Sequence, residues 1–397
     1  MPCHPRLLRP AAAVLFGLAI PSLPVAAWGD AGFDRWVEGV SKDARRSGLP
    51  ASAVKRALSG LTPDPAMERL TRRQPELVKP IGGYIESRAG GTLLKRGRAK
   101  VAGQKGLLSR IERRTGVDPY VVAAIWGLET GFGANIGSSD VFRSLATLGH
   151  MEYRGDFFRN ELIDAIRVMH GDRVPRARMI GSWAGAMGQT QFIPSSFLKF
   201  AVDGDGDGRR DPWSSVADAL MSTANYLKQK GWIPGQPWGF EVTLPRKLER
   251  AADTAPWWVW KEAGVKARNG RPFPKEGEAT LFFPAGEEGP AFLISPNYEV
   301  IRDYNSSDAY SLSAALLAEG LRGRKRAPAR WPKDRTLNKA ERMEVQERLA
   351  KRGFVVPNRT GRILKGVRFA IRDFQRSIGV TADGYPDLTL LRQLRAR

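Results

Sequence analysis

The stretch DPYVVAAIWGLETGFG, residues 118–133, is a long apolar run that closes on a single carboxylate, Glu129. Asp118 followed by Pro119 is typical of a helix start, because Asp caps the first turn and Pro is tolerated at its first position. Gly131 supplies a C-terminal stop. The stretch therefore predicts a helix that carries one acid in its last turn.

The neighbours of Glu129 on that helix are apolar. It shares a face with Val122, Ile125 and Trp126, and no lysine or arginine lies within ten residues on either side. Apolar surroundings and the negative end of the helix dipole both disfavour a charged carboxylate, so the pattern predicts a raised pKa. An acid that keeps its proton near neutral pH suits a glycosidase general acid. The alternative is an exposed glutamate that only happens to end a helix.

The rest of the chain is patterned mainly for helices, in two folded parts. The chain has 397 residues, of which 42% are hydrophobic, and this composition predicts packed cores. Helical periodicity runs through residues 33–120, 156–171, 215–231 and 308–323. Residues 235–300 contain three short strand-like runs, FEVTL, ATLFFP and AFLIS. We therefore expect a mainly α body at residues 28–321, a basic, proline-containing linker at 322–333, and a three-helix domain at 334–397.

Residues 1–27 have the pattern of a signal peptide. Arg6 and Arg9 precede an apolar run at residues 11–20 that is too short to span a membrane, and small residues up to Ala27 suit cleavage. The one cysteine, Cys3, lies before that run and not at the cleavage site, so neither lipid attachment nor a disulfide is predicted. No later stretch predicts a transmembrane segment. We expect a soluble, exported, periplasmic protein; a short membrane anchor is the alternative.

The positive charge is concentrated near the C-terminal end. The formal net charge is +22, and residues 322–397 hold 21 Lys+Arg against 7 Asp+Glu. Such a basic region favours an anionic partner, for example a wall polymer, lipopolysaccharide or a membrane surface. Export argues against nucleic acid, for which binding through these residues would be salt-sensitive.

Several motifs together carry a family resemblance. The chain contains, in order, AIWGLETGFG, SLATLGH, GSWAGAMGQTQFIPSSFLKFAVDGDGDGRRDPW, ANYLKQKGW and RDYNSSDAYSLSAALLA. Over residues 33–320 it resembles the membrane-bound lytic murein transglycosylase B family, which implies a lysozyme-like α+β catalytic domain. Residues 337–397 resemble a small peptidoglycan-binding domain, although NRTGRILKG stands where that domain usually has an acidic Asp-Gly turn.

The resemblance implies that Glu129 performs both proton transfers on peptidoglycan glycan strands. As the acid it protonates the glycosidic oxygen that leaves the anomeric carbon of N-acetylmuramic acid (MurNAc). As the base it then takes the proton of that sugar's C6 hydroxyl, which closes a 1,6-anhydro ring. This chemistry needs no water and no second carboxylate, unlike that of most glycosidases.

The resemblance also implies a set of substrate contacts. The residues are Ser182, Met187, Gln191, Phe192, Tyr226, Tyr304, Asn305 and Tyr310. Tyrosines suit sugars because the ring face packs on the sugar and the hydroxyl forms hydrogen bonds. For Met187, Phe192 and Tyr226 the alternative is ordinary core packing. For the Tyr304-Asn305 pair it is a turn.

The acidic stretch DGDGDGRRD, residues 203–211, begins like an EF-hand calcium loop, with acids at positions 1, 3 and 5 and Gly at position 6. The glutamate expected at position 12 is missing, and Ser214 stands there. The resemblance implies a longer loop whose ligands are Asp203, Asp205, Asp207, the backbone carbonyl of Arg209, and Asp218. We expect one structural Ca²⁺ and no catalytic cofactor; the alternative is a solvated Asp-Gly turn.

Three functions remain open at this point. A lytic transglycosylase leaves 1,6-anhydromuramoyl ends, whereas a lysozyme-type hydrolase on the same fold uses a positioned water and leaves reducing ends. A non-catalytic wall-binding scaffold would leave peptidoglycan uncut. Analysis of the cleavage products separates the three.

Overall fold

The computed structural model of the chain describes residues 31–72, 80–245, 248, 253–324, 330–332, 335–357 and 359–396. The predicted signal peptide and half of the predicted linker, residues 325–329 and 333, lie outside these residues. Within them, no helix combines the length and the hydropathy that crossing a bilayer requires.

Helices build most of the larger body. The first seven are α1 (Ala31–Arg46), α2 (Ala51–Leu58), α3 (Met67–Arg72), α4 (Ile81–Ala89), α5 (Gly91–Gly103), α6 (Lys105–Thr115) and α7 (Pro119–Thr130). Then come β1 (Ser139–Asp140), α8 (Val141–His150), α9 (Phe157–Gly171), β2 (Ile180–Gly181), α10 (Pro194–Phe200) and α11 (Val216–Gln229). The strands β1 and β2 pair with each other in antiparallel orientation.

The chain then forms a small sheet before it returns to helices. These elements are β3 (Gly239–Thr243), β4 (Thr254–Pro256), α12 (Trp257–Glu262), β5 (Lys266–Ala267), β6 (Glu278–Phe282), β7 (Ala291–Ile294), α13 (Pro296–Tyr304) and α14 (Asp308–Leu321). The sheet is antiparallel, with strand order β4-β6-β7-β3-β5. Its three longest strands coincide with the three runs predicted from the sequence. The sheet has a hydrophobic core separate from that of the helices, and this core includes Trp257, Trp260 and Phe240.

Helix α7 lies at the centre of the larger body and packs against α14, because both helices are apolar on nearly every side. Asp118 caps α7 by accepting a hydrogen bond of 2.9 Å from the backbone N–H of Tyr120. Gly131 ends the helix in the left-handed conformation, with φ 60°. Both predicted ends of this helix are thus confirmed.

The C-terminal domain is formed by three helices, as predicted: α15 (Lys339–Lys351), α16 (Lys365–Ser377) and α17 (Leu388–Ala396). Val345, Leu349 and Phe374 are among the residues of its separate core. The described part of the divergent turn, residues 359–366, is held by a buried side chain, Gln346. This amide donates to the carbonyl of Arg362 (2.8 Å) and accepts from the N–H of Gly361 (2.7 Å). The turn is therefore tied to the core without an acidic residue.

Candidate active site

Glu129 is the penultimate residue of α7 and the one position among residues 121–130 that is not buried. Val122, Ile125 and Trp126, on the same face, are buried as predicted. A half-buried acid at the end of a buried helix is therefore held against apolar side chains while it remains open to a ligand.

A polar partner of Glu129 comes from α14. The hydroxyl of Tyr310 donates a hydrogen bond of 2.6 Å to Oε1 of Glu129. Burial raises the pKa of Tyr310 well above its usual value, and the negative charge of Glu129 raises it further. Tyr310 therefore keeps its proton and acts as a donor. This bond favours the charged carboxylate and so opposes the two effects from which the sequence predicted a raised pKa; that shift stays a prediction.

A tight turn follows the acid. Gly131, Phe132 and Gly133 all have positive φ, at 60°, 64° and 78°. Phe132 is a phenylalanine in a region that such residues rarely occupy. Its ring is buried and meets Trp126 edge to face, with centroids 5.4 Å apart. Packing of this ring stabilises the turn and so fixes the chain that leads away from Glu129.

Hydrogen bonds connect the end of α7 and the turn to a glycine-rich segment, residues 181–192. Trp126 Nε1 donates to Gln189 Oε1 at 3.0 Å, and Thr130 Oγ1 donates to the carbonyl of Gln189 at 2.5 Å. Thr130 Oγ1 also accepts from the N–H of Gly133 at 3.0 Å. Sequence reasoning missed this role of Thr130, for which the one available signal is a hydroxyl directly after the acid.

Three aromatic side chains pack together beside this segment. The ring centroid of Tyr304 lies 5.0 Å from that of Tyr226 and 6.0 Å from that of Phe192. The Tyr304 hydroxyl donates to the carbonyl of Thr190 at 2.5 Å, and the Tyr226 hydroxyl donates to the carbonyl of Asp303 at 2.7 Å. Burial raises the pKa of Tyr226 to about 12. Phe192 and Tyr226 are buried and Tyr304 is partly exposed, so Tyr304 is the member of this cluster that reaches the surface.

The other predicted contact residues divide by exposure. Ser182, Gln191 and Asn305 are partly exposed, whereas Met187 is fully buried. Gln191 has φ 56°, and its amide donates to the carbonyls of Ile136 and Gly188. Asn305 Oδ1 accepts from the N–H of Ser307 at 3.2 Å, which is the hydrogen bond of a turn. The substrate contacts of these residues stay predictions.

The acidic loop brings together three of its predicted ligands. Asp203, Asp205 and Asp218 each offer a carboxylate oxygen, and these three oxygens lie within 4.8 Å of one another. Asp203 accepts from the N–H of Gly208 (2.8 Å) and that of Gly206 (2.6 Å), and these two bonds lower its pKa. Oxygen donors in this arrangement suit Ca²⁺.

Asp207, a fourth predicted ligand, lies outside that group. The carboxylate of Asp207 accepts from the N–H of Arg209 at 2.8 Å and is not among the three clustered acids. Asp218 is buried and accepts from the N–H groups of Gly204 (2.8 Å) and Asp211 (2.7 Å), so it also organises the loop itself.

Comparison with known structures identifies close relatives. The crystal structure of SltB3 from Pseudomonas aeruginosa in complex with NAG-anhNAM-pentapeptide is 42% identical to this chain. It covers 92% of this chain and 100% of its own, with a TM-score of 0.82. The complex of SltB3 with NAG-NAM-pentapeptide is 43% identical, with the same coverage and TM-score. The Escherichia coli lytic transglycosylase SLT35 in complex with calcium shares the fold at 24% identity and a TM-score of 0.61, covering 74% of this chain and 93% of its own.

Sequence comparison gives the same result. Membrane-bound lytic murein transglycosylase B of Escherichia coli K12 is 30% identical over 229 residues, which is 54% of this chain. The chain covers 60% of the length of that relative. The family model of the transglycosylase SLT domain matches residues 32–319, and that of a peptidoglycan-binding domain matches residues 338–394. The resemblance and the lysozyme-like fold predicted from the motifs are confirmed: the chain belongs to the SLT transglycosylase family.

Proposed function

We propose that this chain is a lytic transglycosylase that cleaves the β-1,4 bond between MurNAc and N-acetylglucosamine in peptidoglycan. The observation that carries the proposal is the partly exposed carboxylate of Glu129, held at 2.6 Å by the hydroxyl of Tyr310 at the end of a buried helix. Membership of the family supports the substrate class. The peptidoglycan fragments bound to SltB3 support it as well.

In the first step Glu129 acts as the general acid. Because Tyr310 donates to Oε1, the proton that is transferred is carried by Oε2. It passes to the glycosidic oxygen as the bond between that oxygen and the anomeric carbon of MurNAc breaks, and the departing sugar leaves with a free 4-hydroxyl. Tyr310 stabilises the carboxylate that this transfer creates, since a hydrogen bond to a charged group is stronger than one to a neutral group.

In the second step the same carboxylate acts as the base. The C6 hydroxyl of MurNAc attacks its own anomeric carbon, its proton passes to Glu129, and a 1,6-anhydro ring closes. The proton count of Glu129 is then the same as before the reaction, and no water is consumed. One carboxylate and one neutral donor are sufficient for this sequence, in contrast to the paired carboxylates of most glycosidases.

The glycine-rich segment and Tyr304 provide a surface for the glycan strand. Tyr304 is bonded to Thr190 of that segment, and the charge of Glu129 contributes to raising the pKa of Tyr304. We expect the tyrosine ring to pack on a sugar of the bound strand. Ser182 and Gln191 add partly exposed polar groups from the same segment.

Digestion of purified peptidoglycan followed by mass spectrometry tests the activity. We expect products that end in 1,6-anhydromuramic acid; reducing ends alone would indicate a hydrolase instead. Glu129→Gln keeps the shape but removes the proton, and we expect it to lower the rate by about 10²- to 10⁴-fold. Glu262→Gln, on the exposed surface of α12, is the matched control and should cleave at the wild-type rate. Full activity of Glu129→Gln would refute the assignment of the acid.

We further propose that the acidic loop binds one Ca²⁺ with a structural role. The clustered oxygens of Asp203, Asp205 and Asp218 support this proposal. Asp207 and the backbone carbonyl of Arg209 would complete the set of ligands. No step of the proposed reaction passes through this ion.

Export to the periplasm is proposed from the pattern of residues 1–27 and from the location of the substrate. Cell fractionation and N-terminal sequencing of the mature protein test this proposal. We expect the mature chain to begin after Ala27, and an intact Met1 in a cytoplasmic fraction would contradict it.

A further inference from the structure

One residue of the larger body is held by arginines from both parts of the molecule. Asp308, the first residue of α14, accepts from Arg302 Nη1 at 2.9 Å and from Arg368 Nη2 at 2.6 Å. Arg302 belongs to α13 of the same body, whereas Arg368 belongs to α16 of the C-terminal domain. The side chain of Asp308 is 13% exposed. The C-terminal domain therefore contributes a charge to the start of α14.

That start of the helix also carries the partner of the catalytic acid. Tyr310 lies two residues after Asp308, so the two side chains project on roughly opposite sides of the first turn. Asp308 faces the arginines, while Tyr310 reaches inward to Glu129. Ser307 caps the same turn by accepting from the N–H of Tyr310 at 3.4 Å. The first turn of α14 is therefore held from two sides.

Arg368 is firmly placed at the junction of the two parts. Its side chain is 9% exposed, and its guanidinium lies over the ring of Phe282 in β6, 5.0 Å from the centroid. Its Nη1 donates to the carbonyl of Gly384 within its own domain at 3.3 Å. Burial alone would raise the pKa of Asp308, but Arg368 and Arg302 hold it below its usual value. Asp308 is therefore charged, and its position depends on both arginines.

We propose that Arg368 of the C-terminal domain is a positioning residue for catalysis, which acts through Asp308 to hold the hydroxyl of Tyr310 on Glu129. This inference rests on the proposed function, because it assigns the C-terminal domain a part in the reaction of that same acid. The domain thereby completes the active site as well as contacting the wall.

Loss of Arg368 would leave the carboxylate of Asp308 with an arginine partner on one side only. Arg302, its remaining partner, also binds Glu299 at 2.6 Å and would pull the carboxylate toward α13 alone. A buried carboxylate that has lost one of two partners moves or takes in water to recover the missing interaction. The first turn of α14 then shifts, and the short bond between Tyr310 and Glu129 lengthens. Ground-state binding of the glycan depends on other residues and changes little.

The test compares three substitutions in the full-length chain, using soluble glycan-strand fragments and steady-state kinetics. For Arg368→Ala we expect kcat to fall by about tenfold with little change in KM, since small displacements of a catalytic group lower rates steeply. Arg368→Lys restores the charge and should recover most of kcat. Arg376→Ala is the matched control, because Arg376 also joins α16 to the larger body, through Asp253 at 2.7 Å, without touching α14. It should stay within about twofold of wild type.

A double substitution separates positioning from general destabilisation. If Arg368 acts through Tyr310, adding Arg368→Ala to Tyr310→Phe lowers kcat little further, because coupled residues are not additive. Equal kcat for Arg368→Ala and Arg376→Ala, or full additivity with Tyr310→Phe, would overturn the inference. Glu129→Gln run alongside identifies the source of a failure. If it is inactive while Arg368→Ala is unaffected, only this inference fails, whereas an active Glu129→Gln overturns the proposed function itself.

Discussion

The phenol of Tyr310 and the carboxylate of Glu129 meet at 2.6 Å although 181 positions of sequence separate them. They come from α14 and α7, the two apolar helices that pack against each other at the centre of the body. The site therefore pairs an acid with a neutral donor on two buried helices, not on mobile loops. Such placement limits how far the two groups can move apart during the proton transfers.

Removal of the Tyr310 hydroxyl should slow the reaction and change its pH dependence. Tyr310→Phe deletes a hydrogen bond to a charged group, worth about 1.5–3 kcal/mol, so we expect kcat to fall by about 10- to 100-fold. The deleted bond favours the charged carboxylate, so Glu129 should hold its proton to higher pH. The alkaline limb of the pH–rate profile, which reports loss of that proton, should then move to higher pH.

Steady-state kinetics across pH measure both effects of this substitution. Tyr120→Phe, at the opposite end of α7, is the control and should leave the profile unchanged. An alkaline limb that moves to lower pH in Tyr310→Phe would contradict the assigned direction of the hydrogen bond.

The turn after Glu129 depends on a glycine inside α7. A Cβ at Gly127 would lie 2.5 Å from Cζ of Phe132, so Gly127→Ala should displace that ring. We expect a loss of about 1–3 kcal/mol in the free energy of unfolding, as is usual for overpacking, together with a lower kcat. Gly83→Ala is the control, since a Cβ at Gly83 in α4 meets nothing within 4 Å. That substitution should stabilise the chain by about 0.5–1 kcal/mol, and equal effects at the two sites would refute the packing argument.

Calcium should stabilise the folded chain. At a free concentration about 100 times the dissociation constant, binding to the folded state alone adds about 2.7 kcal/mol, which appears as a higher Tm. Asp205→Asn should remove this gain, because Asp205 is exposed and is one of the three clustered acids. Thermal unfolding with calcium and with a chelator measures the difference. Asp156→Asn, at an exposed acid outside the loop, should keep the wild-type response. A calcium response that persists in Asp205→Asn would argue against this site.

Glu344 should stabilise the C-terminal domain only above acidic pH. It joins α15 to α17 through Arg395 Nη2 at 2.6 Å and also binds Arg348 Nε at 2.7 Å. The hydrogen bond from Arg395, then that from Arg348, lowers its pKa to about 2 from the 4.5 expected without partners. Because the folded state binds this proton less readily than the unfolded state, the contribution is present above the unfolded pKa and is lost as pH falls toward the folded value.

Glu344→Gln tests this dependence. At neutral pH we expect it to cost about 1 kcal/mol, the upper range for surface ion pairs, and the gap from wild type should close as the pH falls toward about 2. Unfolding curves followed by circular dichroism at several pH values measure the gap. Glu347→Gln, which removes a pair within α15 alone, serves as the comparison. A gap of constant size at all pH values would rule out the ion pairs as its cause.

The sequence predicted the parts of the site that local chemistry determines. Asp118 and Gly131 mark the ends of α7 because capping involves only neighbouring residues, and the same helix places Glu129 against apolar side chains. The contact of Tyr310 with Glu129 could not be derived in this way, because it depends on how α14 packs. For Met187 the sequence left core packing and substrate contact as two alternatives, since a single methionine in a glycine-rich segment has no periodicity that marks an inward face; the structure buries this side chain fully.

The basic C-terminal domain shows a different limit. Its charge predicted an anionic partner, yet Arg368, Arg372 and Arg376 on α16 make contacts inside the molecule. Their spacing of four residues places them on one face of a helix, and this spacing was the available sign in the sequence that they act together. Composition alone does not distinguish an arginine that is exposed for binding an anionic polymer from one that already forms an ion pair or hydrogen bond within the protein.

Helix α16 thus serves two surfaces at once. Val367, Ile371 and Phe374 fill the core of its own domain, whereas Arg372 donates to the carbonyl of Leu281 in the sheet of the larger body at 2.5 Å. In a chimera that carries a foreign wall-binding domain, that domain would still fold, but the contacts between α16 and the sheet of the larger body would be lost. Exchange of such domains between enzymes therefore requires transplanting the arginine face of the helix together with the binding surface.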